Sequence, residues 1–80
     1  MRIPRDWSGM RLAKALGRFG YRITRQSGSH VRLLTDQKGE HSITIPLHDY
    51  LRVGTFSAIL SDVGKHLELN REELLNQLLD

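Results

Sequence analysis

Eighty residues, no cysteine and 39% hydrophobic side chains exclude disulfide staples, thiolate zinc sites and a second independent core. No apolar run approaches the ~20 residues of a membrane span, and residues 1–6 carry charges with no apolar stretch behind them, so no secretory leader is expected and the cytoplasm is the default location. The net charge of +3 hides a split: residues 1–38 hold nine basic and two acidic side chains, net +7, whereas residues 39–80 hold three basic and seven acidic, net −4.

In chain order, Ser8 can cap the first helix, with Trp7 and Leu12 at the two positions of a hydrophobic staple. Leu12, Ala13, Leu16 and Phe19 follow the spacing of a half-buried helix, and Gly20 stands where a left-handed cap ends it. The hydrophobic period then drops to two. Tyr21, Ile23 and Arg25 alternate with Arg22, Thr24 and Gln26 in a first strand. Residues 27–29 form a short turn, residues 30–34 a second strand, residues 36–39 a turn, and residues 41–46 a third strand ended by Pro46. Residues 47–53 read as loop.

A second helix follows Gly54 and Thr55, with Phe56, Ile59, Leu60 and Val63 on one stripe and Gly64 as its stop. Asn70 opens a third helix, with Glu73 completing a capping box and Leu69 and Leu74 as its staple. Short and terminal, that helix is expected to dock only weakly. No repeat or linker interrupts the chain, so residues 1–80 read as one domain. The fold class is α+β, in the order α-β-β-β-α-α, with a three-stranded antiparallel sheet and helices on one face.

Alternation along the strands defines the face that could carry chemistry. With Tyr21, Ile23, Val31, Leu33, Ile43 and Ile45 turned to the helices, the opposite face shows Arg22, Thr24, Gln26, His30, Arg32, Ser42 and Thr44. A polar open face is ordinary for an antiparallel sheet. A histidine at a strand start, directly after Gly28 and Ser29, is less so, because it stands partly exposed and free to approach a ligand. The basic half suggests a polyanion partner, nucleic acid first, and on such a face histidine exchanges protons near neutral pH while arginine grips phosphate.

Three motifs carry a resemblance. Gly28-Ser29-His30 after a strand, Ile45-Pro46-Leu47-His48 after the third strand, and Leu51-Arg52-Val53-Gly54-Thr55 before a helix with Ile59-Leu60 resemble the HicA toxins. That family comprises small bacterial mRNA interferases with a double-stranded-RNA-binding-domain-like fold. The similarity spans residues 8–63, and departs from the family's pattern at Asp49-Tyr50 and at Arg32-Leu33-Leu34. It implies a toxin of a toxin–antitoxin system, acting as a metal-independent endoribonuclease with His30 as the catalytic residue. It also implies mRNA as substrate, a HicB-like antitoxin as partner and no cofactor. Arg22, Arg25, Arg32 and Ser29 are the expected RNA contacts.

Each residue also has a plainer reading. His30 also reads as an ordinary strand histidine, and the arginines as a solvated face. His48 reads as shaping its loop or capping a backbone group, His41 and His66 as surface, Trp7 and Tyr21 as core. A metal site from His30, His41 and His48 is not expected, since no acidic residue stands at ligand spacing and no H-x-x-x-H pair exists. A non-catalytic RNA-binding domain of the same fold is the alternative function, and a protein-interaction domain with a basic face the weaker third.

Overall fold

A computed structural model describes residues 3–79. Helix α1 (Gly9–Ala15) runs on into a 3-10 turn (Leu16–Phe19), followed by strands β1 (Arg22–Ser27), β2 (His30–Thr35) and β3 (His41–Pro46) and helices α2 (Val53–Leu67) and α3 (Arg71–Leu79). This is the expected α-β-β-β-α-α order, with one antiparallel sheet in the order β1-β2-β3.

Local chemistry sets most boundaries. The Ser8 hydroxyl accepts from the Arg11 amide at 3.0 Å and caps α1, while Trp7 and Leu12 are both buried. Gly20, at φ 81°, closes the 3-10 turn. Asn70 and Glu73 exchange side-chain to backbone bonds of 3.0 and 2.8 Å, a complete capping box at the start of α3.

Two helix expectations need correction. Gly64 does not stop α2, which continues to Leu67 and ends with Glu68 in the left-handed region at φ 60°. Gly64 is there for packing: a Cβ would stand 2.9 Å from the Leu69 carbonyl oxygen, where the chain turns back into α3. Nor does α3 dock weakly. Leu74, Leu75 and Leu78 are buried, and the Arg71 guanidinium binds the Ser57 hydroxyl, the Ser57 carbonyl at 3.2 Å and the Ser61 hydroxyl at 2.5 Å on α2.

The core lies between one sheet face and the helices. Val31, Leu33 and Ile45 are fully buried against it, with Ile43 close behind. α1 and α2 make their main sheet contacts with β3, the strand farthest from β1. The start of α1 is seated so closely that a Cβ on Gly9 would lie 1.9 Å from the Pro46 carbonyl oxygen. β1 therefore overhangs the core. All six of its residues are exposed, and Ile23, expected inward, is 45% exposed although its partner Leu33 is buried.

β1 is also bulged. Ile23 pairs with Leu33 and Arg25 with Arg32, leaving Thr24 as the extra residue. Its hydroxyl donates to the Arg32 carbonyl at 3.3 Å. A one-residue slip exchanges the faces of everything beyond it. Gln26, expected on the polar face, now pairs with buried Val31, whereas Arg25 and Ser27 join the polar face beside Arg32 and His30.

Candidate nucleic-acid interface

The bulge assembles the polar face. Cross-strand pairing sets Arg25, Arg32 and Thr44 in one row and Ser27, His30 and Pro46 in the next. An open cleft of about 200 Å³ is lined by Arg25, Ser27, His30, Val31, Arg32 and Thr44. That is below the ~300–1,000 Å³ of sites that engulf a small molecule. It suits one phosphate with its sugar edge on a surface groove.

The electrostatics favour an anion. Arg25 and Arg32 are directly opposed on neighbouring strands, an arrangement that costs free energy when like charges face each other unneutralised. Among the described residues neither has an ion-pair partner, and the Arg32 guanidinium finds only the Ser42 hydroxyl, at 3.4 Å. His30 is exposed, and its ring has no hydrogen-bond partner among the described residues. A phosphate in the cleft would relieve the arginine pair and meet an imidazole free to move a proton.

The other expected contacts sit differently. Arg22 pairs with Leu34, outside the cleft. Ser29 lies in the two-residue turn between β1 and β2, outside the cleft lining, where its carbonyl accepts from the Leu47 amide at 2.5 Å. His48 holds the loop through its backbone, its carbonyl accepting from the Gly9 amide at 3.0 Å, while its side chain is exposed. Ser27, which sequence alternation left in a turn, lines the cleft. Its signal would have been the bulge, and no residue type in β1 announces one.

The remaining histidines are not simple surface groups. The Tyr21 hydroxyl and the His41 Nδ1 are 2.7 Å apart, and the His41 Nε2 is 3.1 Å from Asp62. A carboxylate only accepts, so Nε2 carries the proton toward Asp62, and in the neutral ring Nδ1 accepts from Tyr21. The His66 ring stacks on His41 at 4.4 Å and donates from Nε2 to the carbonyls of Gln37 and Gly39, at 2.9 and 3.0 Å. Burial, reinforced by the Asp62 charge, pushes the Tyr21 hydroxyl up to about 12. No cluster of three or more potential metal ligands occurs among the described residues.

The fold and this cleft define a small α+β domain with a basic, histidine-bearing sheet face. The family profile described as the HicA toxin of bacterial toxin–antitoxin systems matches residues 9–65, and the chain belongs to that family. Comparison with curated proteins and with solved structures gave no significant match. No helix among the described residues is long and apolar enough to cross a membrane.

Proposed function

We propose that this HicA-family toxin is a metal-independent endoribonuclease that cleaves mRNA in the cytoplasm, with His30 as its catalytic residue. The observation that supports it best is the exposed His30 ring, without a hydrogen-bond partner among the described residues, sharing one cleft with the opposed Arg25 and Arg32. The two guanidiniums hold the scissile phosphate and offset the charge that builds on its oxygens in the transition state. The 2′-oxygen attacks phosphorus and loses its proton as the bond to the 5′-oxygen breaks and that oxygen gains one. The products are a 2′,3′-cyclic phosphate and a 5′-hydroxyl end. His30 serves one of these two proton transfers. Arg22 and Ser29, at the margins, contact the flanking backbone.

In the cell a HicB-like antitoxin silences the site by covering His30 and the basic face with an acidic surface. A complex in which the antitoxin sits on the helices and His30 stays open would rule that mode out.

The decisive experiment is cleavage of RNA by wild type and His30→Ala, with and without EDTA. Activity should survive chelation and fall by ~10²–10⁴-fold in the variant, the usual contribution of a positioned acid–base group. A variant that still cleaves, or a wild type that stops with EDTA, refutes the mechanism. If neither protein cleaves any RNA while both bind it, the chain is a non-catalytic RNA-binding domain.

A further inference from the structure

We infer that Tyr50 is a base-stacking platform for single-stranded RNA, holding the base of a nucleotide that flanks the phosphate in the cleft. The inference rests on the reading of that cleft as an RNA site.

Of five aromatic residues in the chain, Trp7, Phe19, Tyr21 and Phe56 are buried, and Tyr50 alone is exposed, at 70%. A lone exposed aromatic is unremarkable on a mobile tip. This one stands on a loop pinned at three points. The Leu47 amide donates to the Ser29 carbonyl, the His48 carbonyl accepts from Gly9, and the Leu51 amide donates to the Trp7 carbonyl at 2.9 Å. Leu51 is buried in the core next to it. The pinned backbone turns Asp49 and Tyr50 outward.

The first pin also places the loop. Ser29 precedes His30, and Tyr50 is three residues from Leu47, so its Cα lies within about 11 Å of Leu47, whose amide is itself bonded to the turn that leads into the cleft. A strand of RNA with its phosphate between Arg25 and Arg32 and leaving the cleft past that turn passes this ring.

The chemistry selects a base rather than a phosphate. Asp49 beside Tyr50 repels phosphate, and the phenol face offers an apolar surface on which any unstacked base can lie. No charge neutralisation is needed there, because the arginines of the cleft already supply it.

The test uses short single-stranded RNAs with 2-aminopurine at successive positions and 2′-O-methyl groups throughout, so that none is cleaved. Wild type should quench the fluorescence at one position. Tyr50→Ala should abolish that quenching and weaken binding by roughly 5- to 150-fold, the range for loss of one base–aromatic stack. Tyr50→Phe, which keeps the ring, should retain both. An abasic nucleotide at the quenched position should weaken wild type by the same factor and add no further loss to Tyr50→Ala.

Unchanged affinity and quenching in Tyr50→Ala overturn the inference, and antitoxin binding lost in that variant while RNA binding persists would assign the ring to the protein partner instead. Failure of the cleavage mechanism reads out separately: a Tyr50-dependent quench in a protein whose His30→Ala variant cleaves normally keeps the platform and removes His30 as catalyst. If the wild type binds none of these RNAs, both readings fall.

Discussion

The two ends of the β2–β3 ladder carry the same residue type in opposite states. At one end His30 pairs across from Pro46, exposed and without a ring partner among the described residues. At the other, His41 pairs across from Thr35, and its ring is tied between the Tyr21 hydroxyl and Asp62 with His66 stacked on it. Both nitrogens of His41 are committed, tying β3 to α2 through Asp62 and to the residue just before β1 through Tyr21. A committed imidazole stabilises; an uncommitted one beside two opposed arginines is available for proton transfer. What separates scaffold from candidate catalyst here is the surroundings of each ring.

The sharpest way to break that comparison is to remove each ring. His30→Ala should lose ~10²–10⁴-fold in RNA cleavage while its stability stays within ~0.5 kcal/mol of wild type, as for other exposed positions. His41→Ala should do the reverse: it strands the buried Tyr21 hydroxyl and should cost about 1–3 kcal/mol by urea denaturation, with cleavage per folded molecule unchanged. If His41→Ala silences cleavage without destabilising the protein, the assignment of the two ends is inverted.

Alkaline titration probes the scaffold end alone. The Tyr21 hydroxyl is raised from 10.0 to about 12 in the folded protein, so between those values the unfolded chain has released a proton that the folded chain still holds. Stability therefore falls as pH rises through this window, by roughly 2–3 kcal/mol in all. Below pH 10 both states hold the proton and the effect vanishes. Tyr21→Phe should remove that component of the alkaline loss. A variant that keeps the full slope would show that another group releases the proton.

The cleft end has its own electrostatic signature. Neutralising Arg22, Arg25 and Arg32 together should reduce the slope of log affinity for single-stranded RNA against log salt by roughly two, given ~0.7 per phosphate contact. Because Arg22 lies outside the cleft, Arg25 and Arg32 as a pair should account for most of the change. An unchanged slope would move phosphate binding off this face.

Much of this was readable in the sequence, and the failures cluster in one strand. The caps at Ser8, Gly20 and Asn70 are local chemistry, and β2 and β3 alternate cleanly because both are covered by helices. β1 misled for two physical reasons. Its extra residue, Thr24, leaves no mark in residue type, so alternation put Gln26 on the polar face in place of Arg25 and Ser27. It is also an overhanging edge, where an apolar side chain at the inward position need not be buried. Gly64 misled likewise, because a glycine required by a close neighbour reads the same as one required by a cap. His41 reads as surface in the sequence because its partners, Tyr21 and Asp62, are each about twenty residues away.

The smallest effect tests that account of β1. Ile23 and Ile43 both alternate as inward-facing strand residues, yet Ile23 is 45% exposed and Ile43 only 6%. Ile43→Ala removes a side chain from the packed layer under the helices and should cost about 2–5 kcal/mol, the range for cavity-forming truncations. Ile23→Ala takes away a side chain that already faces water on half its surface and opens no enclosed cavity. Its cost should be about 1 kcal/mol or less, mostly lost contact with Leu33 and lost strand preference. Comparable losses at the two positions in urea denaturation would mean that something covers the β1 overhang in solution. The β1 overhang, which leaves Ile23 uncovered in the isolated chain, would then need a partner surface to account for it.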